Sequence, residues 1–261
     1  MDKQSKRTSS IRDLFWIWAH EAGSYEGAFG LPRGSRMTPA EGAAWLGVPN
    51  VIMVRYSGKP VLPFNPCLEP LREVQNVVWS IVGMGGETSE SEREHVLDIL
   101  RTFPNIRGVI MDDFFTSDGS TALSIEQIGT IRRRLTQTGR SVELWVVLYA
   151  HLLSLPVRPY LELCDTVTFW TWKQEELDRL EENFAAVERL VPQRKKVLGC
   201  YMWDFGNSRA MAMERMQKQC ELGARWIKEG RIEGMVFLAS CICDLGIEAV
   251  EWTRRWIAEH K

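Results

Sequence analysis

Eight short runs of apolar, β-branched or aromatic residues, spaced along the chain and separated by longer amphipathic stretches, restrict this sequence more than any other feature. The clearest are residues 108–112 (GVIMD), 142–149 (VELWVVLY), 166–172 (TVTFWTW), 197–203 (VLGCYMW) and 235–239 (MVFLA). Residues 14–18 (LFWIW), 51–54 (VIMV) and 77–82 (VVWSIV) complete the set. Runs of this length read as strands buried on both faces, and the stretches between them read as helices. Residues 89–102 open on a serine followed by acids, as an N-cap and a positive helix terminus prefer. Residues 125–137, 175–190, 208–228 and 247–259 are the other helices, the last carrying Ala249, Trp252 and Trp256 on one side.

Strands alternating with helices make right-handed parallel units, and eight of them close into a barrel. The expected fold is therefore a single α/β domain, a (β/α)8 TIM barrel over residues 11–261 preceded by a flexible tail at 1–10; 261 residues is the usual size for it. The rival is an open doubly wound sheet, which announces itself with a glycine-rich strand-to-helix turn. The nearest candidate, Gly83-Met84-Gly85-Gly86, lacks the G-x-G-x-x-G spacing. Residues 21–45 and 57–70, rich in Gly and Pro, are expected to build the rim of the cleft.

Composition removes several functional classes. A formal charge of -2 provides no broad positive field, so nucleic acid is not an expected partner. No apolar window reaches the roughly 18 residues of a spanning helix, so no membrane partner is expected either. The six cysteines are scattered and read as small buried hydrophobes; Cys241 and Cys243 lack the further ligands of a zinc site. Neither a metal nor a cofactor is expected. The polar start MDKQSKRTSS points to the cytoplasm if it is native, and to secretion or the periplasm if a signal peptide has been removed. Oligomeric state is not legible.

In such a barrel chemistry sits at the C-terminal strand ends, and these are unusually acidic and aromatic. Asp112 and Asp113 follow the apolar run Val109-Ile110-Met111, where two adjacent acids are expensive unless solvated, paired or bound. They are the leading catalytic candidates, against a plain alternative of an N-cap or a salt bridge to Arg55. Strand parity lets one of them face the barrel axis while the other turns to a neighbouring strand or loop. A second acid is then needed from another strand: Asp204 first, Glu21 next, Asp244 last. Trp18, His20, Arg55, Tyr56, Trp79, Phe114, Tyr149, His151, Trp170, Trp172, Tyr201 and Trp203 are the candidate substrate-binding residues, because flat rings with a polar edge stack on sugar faces. Trp45, Trp226, Trp252 and Trp256 read as packing between helices and barrel.

The run IRGVIMDDFF (residues 106–115) resembles the fourth-strand ending G-[VIF]-x-x-D-D of several glycoside-hydrolase-like barrels, and LGCYMWDF (198–205) is similar to seventh strands of the same broad group. The resemblance implies hydrolysis of a glycosidic bond by paired carboxylates, with a saccharide or other polyhydroxylated small molecule as ligand. The chain departs from particular families: it lacks the Asn-Glu end of strand four and the D-x-x-D-x-D-x-E run of chitinase-like enzymes, and strand six ends in Trp172-Lys173 rather than an acid. Two alternatives stand beside the hydrolase. One is a sugar-binding barrel without catalysis. The other is a metal-dependent isomerase or hydrolase using His20, Glu21, Asp112, Asp113 and His151.

Overall fold

The computed structural model describes residues 10–83 and 86–260; most of the expected tail, and Met84-Gly85 of the glycine-rich turn, lie outside them. Eight parallel strands close in sequence order: β1 (Phe15–Ala19), β2 (Asn50–Met53), β3 (Asn76–Ser80), β4 (Ile106–Met111), β5 (Glu143–Tyr149), β6 (Thr166–Trp170), β7 (Lys195–Tyr201) and β8 (Gly234–Leu238), with β8 paired back onto β1. The helices are α1 (Pro39–Leu46), α2 (Asn65–Leu68), α3 (Glu90–Thr102), α4 (Ile125–Thr136), α5 (Arg158–Leu161), α6 (Leu180–Leu190), α7 (Met213–Lys228) and α8 (Glu248–Glu259). The chain is a (β/α)8 TIM barrel, in which α2 and α5 are single turns. Among the described residues no helix is long and apolar enough to cross a membrane.

Local chemistry sets the helix starts. Ser89 and Ser124 accept the N–H of the third residue of α3 and α4, while Glu92 and Gln127 reach back to the cap. The same device, Thr38-Pro39-Ala40-Glu41, starts α1 inside the segment read from sequence as rim loop. Two expected helices are shorter at their N-termini. The 175–190 helix begins as a 3-10 stretch, Gln174–Arg179, and α7 begins at Met213 rather than residue 208, because Arg209 folds back to pair with Asp204. Ser10 caps a 3-10 turn and donates its Oγ proton to the His260 carbonyl at 2.8 Å, tying the beginning of the barrel to the end of α8.

Inside the barrel, tryptophans face glycines. Trp16 of β1 meets Trp145 of β5 with ring centroids 5.3 Å apart, and one layer higher Trp18 meets Trp170 of β6 at 5.1 Å. Rings of this size fit because other inward positions carry no side chain. A Cβ on Gly199 of β7 would stand 2.0 Å from Trp170, and one on Gly108 of β4 would stand 3.0 Å from Trp145. The layers alternate large and small, so the interior is a packed core rather than a pore. It also fixes parity: Gly108 and Ile110 face in, which sends the next even position, Asp112, to the top of the same inner face.

Two glycines test this packing. Gly199→Ala should cost about 3 kcal/mol, since the buried Trp170 ring leaves the new methyl no space. Gly129→Ala, on the open side of α4, should stabilise by roughly 0.5–1 kcal/mol through helix propensity. Urea denaturation of both variants checks the pair, and equal effects would contradict the layered packing.

Candidate active site

Strand β4 ends at Met111, and the chain turns immediately. Asp112 continues the inward parity and is buried, at 8% exposure. Asp113 takes φ +42°, a left-handed conformation that Asp tolerates better than most residues. That twist lets both acids line one cavity although regular strand geometry would part them. Asp113 turns toward β5, where the Tyr149 hydroxyl donates to its Oδ1 at 2.7 Å.

Among the described residues no cation is bonded to the pair. Arg55 reaches the cavity from the end of β2, yet its Nη1 donates to Glu92 of α3 at 2.6 Å. Burial pushes the Asp112 carboxyl well above the usual carboxylate range, and the neighbouring Asp113 charge pushes it further, against a smaller opposing pull from the Asp113 backbone N–H. Burial also raises Asp113, while the Tyr149 hydrogen bond pulls it down. Each like charge opposes ionisation of the other, and Asp112, the more strongly raised of the two, is the one that holds its proton more firmly.

Around the acids stands a wall of rings. Trp18, Trp170 and Trp172 form one side, with Trp172 at 5.7 Å and Trp170 at 5.0 Å from the Tyr201 ring. Tyr25, Phe29, Tyr56 and Phe205 form the other, joined by edge contacts from 4.7 to 5.4 Å. Four of the five tyrosines in the chain line this space. Burial holds the hydroxyls of Tyr25, Tyr149 and Tyr201 well above the ordinary tyrosine range, so all three stay protonated as donors. Beneath Tyr25 lies His20, 2% exposed and neutral, its pKa pushed down to about 3 by burial. The cavity encloses about 100 Å³.

The roof is built from two loops. Tyr25 and Phe29, between β1 and α1, both have positive φ, 69° and 54°, a strain of roughly 1–3 kcal/mol each that persists only where surroundings enforce it. The enforcing contacts come from the loop after β7. Trp203 Nε1 donates to the Phe29 carbonyl at 2.9 Å, and a Cβ on Gly30 would strike the Ser208 carbonyl at 2.5 Å.

Of the residues singled out from sequence, Asp112, Asp113, Trp18, His20, Arg55, Tyr56, Tyr149, Trp170, Trp172 and Tyr201 come together here. The others do not line the cavity. Asp204 is fully buried in a loop network, accepting from Gln174 Nε2 at 2.7 Å, Asn207 Nδ2 at 2.8 Å and Arg209 Nε at 3.1 Å. It ties the connection after β6 to the one after β7 and so places Phe205. Glu21 lies half-exposed in the β1 loop, and Asp244 pairs with Arg33. Trp79 has the outward parity of β3 and packs on Phe64; Phe114 is buried against Phe115 and Tyr160. His151 is exposed, stacked on Tyr149 at 5.5 Å. Sequence reasoning missed Tyr25, Phe29, Phe205 and Leu238. The first three sit on loops with no periodicity to reveal them. The metal-dependent alternative loses its geometry, since Glu21 and His151 stand outside the cavity, and among the described residues no three His, Cys, Asp or Glu side chains are grouped to hold an ion.

Neither a protein-family model nor a curated protein matches the sequence. Solved structures do match. Active domain 2 of a thermostable chitinase from Pyrococcus furiosus, studied as catalytic-site mutants with chito-oligosaccharides, superposes with a TM-score of 0.60 at 13% identity over 95% of each chain. A putative α-L-fucosidase from Bacteroides thetaiotaomicron gives 0.62 at 10% identity, covering 100% of this chain and 98% of the other. A xylanase-A-amylase inhibitor protein gives 0.60 at 11% identity, over 94% and 98%. The chain therefore has the fold of glycoside hydrolase TIM barrels and their relatives, and these identities carry the likeness no further than fold.

The buried acids make a stability prediction whose sign follows from linkage. Below the unfolded-state pKa of about 3.9 Asp112 is neutral in both states. As pH rises, the unfolded chain ionises first, so folding stability falls until the raised native pKa is passed. Asp112→Asn should therefore raise the thermal midpoint at pH 7 by a few degrees, with the gain vanishing below about pH 4. A lowered midpoint at pH 7 in thermal scans would contradict the burial argument.

Proposed function

We propose that the chain is a glycoside hydrolase that takes one sugar unit into the cavity and cleaves its glycosidic bond with Asp112 and Asp113 as the acid and base. The observation that carries this reading is the convergence of both carboxyls, raised by burial and bonded to no cation among the described residues, in a cavity walled by aromatic rings. Protonated Asp112 gives its proton to the leaving oxygen as the C–O bond breaks and that oxygen takes the electron pair. Water adds to the sugar carbon and loses a proton to Asp113, from which it returns to Asp112. Tyr149 steadies Asp113 as the carboxylate of the pair. Trp172, half-buried at the cavity, offers its face to the apolar side of a sugar ring above a floor of Trp18 and Trp170, and Arg55 offers a donor to its hydroxyls. The cavity is well below the roughly 300–1,000 Å³ of pockets for drug-sized ligands, which suits a single terminal unit.

One observation favours a second reading, a barrel that binds a saccharide without cleaving it. Hydrolytic carboxyls usually stand about 5–9.5 Å apart on either side of the bond. Here the only carboxyls lining the cavity among the described residues leave the same strand end. The fold shared with an inhibitor protein fits that reading as well.

A panel of aryl glycosides and oligosaccharides separates the two. The hydrolase reading expects turnover on at least one sugar, falling about 10²–10⁴-fold in Asp112→Asn and Asp113→Asn with binding retained. The binding reading expects affinity that survives both substitutions and no cleavage. Calorimetry showing neither binding nor turnover on any sugar would remove both.

A further inference from the structure

His151 is the one aromatic ring among the described residues that stands exposed; every other is buried or half-buried. It lies outside the cavity, yet its place is tied to it. The His151 ring stacks on Tyr149 with centroids 5.5 Å apart and planes 12° apart, and the Tyr149 hydroxyl donates to Asp113 at 2.7 Å. A single ring therefore separates His151 from an acid of the site. Its backbone is fixed as well. Ala150–Leu152 form a 3-10 turn directly after β5, held by the fully buried Leu152 and by the Leu155 N–H, which donates to the Leu152 carbonyl at 3.0 Å.

The half-exposed members of the cavity wall mark where it opens: Phe29, Arg55, Tyr56, Asp113, Tyr149 and Trp172. Of the two acids only Asp113 reaches this mouth, since Asp112 is buried. A space of about 100 Å³ suits one sugar unit, so a unit joined to it across a bond beside the acids lies outside, next to Asp113 and Tyr149. His151 is the ring at that place. On the opposite wall the chain runs on from Tyr56 into Ser57, Gly58 and Lys59, exposed residues that carry no ring. Trp172 meets Tyr149 edge-on, at 82° and 6.2 Å, so with His151 the three rings make a corner rather than a flat plate.

We propose that His151 is the platform of a second subsite at the mouth of the cavity, and that the ligand is a disaccharide or longer. The outer face of the imidazole meets the C–H side of the second sugar ring, while the nitrogens at its edge exchange hydrogen bonds with hydroxyls. The inference rests on the reading that a saccharide enters the cavity, and it adds the length of that saccharide. It holds whether or not the bond is cleaved.

Calorimetry on matched pairs tests it: cellobiose against glucose, mannobiose against mannose, xylobiose against xylose and chitobiose against N-acetylglucosamine. For the sugar that binds, the disaccharide should bind roughly 3- to 10-fold tighter than its monosaccharide, the contribution expected of one stacked ring. His151→Ala should bring that ratio to about one, whereas His151→Phe, which keeps a flat ring, should retain most of it. Because His151 is exposed, both variants should keep the wild-type thermal midpoint, which checks that they fold. In the wild type, the His151 ring-proton resonances should move with the disaccharide and stay in place with the monosaccharide. Equal affinity for the two lengths, or a ratio that survives in His151→Ala, overturns the subsite and leaves the hydrolase standing if the sugar is cleaved. A length preference lost in His151→Ala without any cleavage sinks the hydrolase and keeps the subsite. Binding of no pair overturns the subsite.

Discussion

Two carboxyl groups on consecutive residues, one buried and one half-buried, with no cation among the described residues bonded to either, form the constraint around which the rest of the site is arranged. Water would ordinarily solvate both, and withdrawing it raises the cost of each charge and of their mutual repulsion. The chain meets that cost at Asp113 with a hydroxyl donor rather than a positive charge. Tyr149 donates to Asp113, and Arg55, which could have neutralised the pair, is directed instead to Glu92. A guanidinium bonded to either acid would have fixed both as carboxylates. Without it burial raises both carboxyls, the direction that acid–base chemistry needs.

The barrel interior maintains this condition from below. Trp16 with Trp145, then Trp18 with Trp170, fill successive layers against Gly108 and Gly199. They close the floor with polarisable, water-excluding surface. From above, the β1 and β7 loops lock through Trp203 and Phe29 and through Gly30 and Ser208. Tyr25 and Phe29 are thereby held at positive φ, so strain is concentrated where the cavity needs a roof. Asp204 belongs to this support. Its four hydrogen bonds position Phe205, and its carboxyl is spent on the loops rather than on a ligand.

The fold was legible because strand and helix periods are properties of local sequence, and eight alternations of period admit few topologies. Asp112 was legible for the same reason: strand parity carries it inward from Gly108 and Ile110. Asp113 was legible as a candidate but not in its placement, because parity ends with the strand and the left-handed turn that follows is decided by packing. Trp79 misled because aromatic type alone does not tell the inner face of a strand from the outer. Asp204 misled because an acid after a strand is equally suited to bonding loops. Tyr25 and Phe29 sit in a segment without periodicity, positioned by contacts with residues some 175 positions away. The N-terminal half of that segment left no sequence signal, whereas the Thr38-Pro39-Ala40-Glu41 cap in its other half was readable and marks α1.

The central claim is that burial in one cavity, with no cation among the described residues bonded to either, raises both the Asp112 and the Asp113 carboxyl. The measurement that tests it most directly is a ¹³C titration of the two side-chain carboxyls in the wild-type protein without ligand. The account predicts two separated steps, both above the ordinary aspartate range, with Asp112 the last to ionise. Simultaneous ionisation of both groups near the ordinary value of about 3.9 would contradict it.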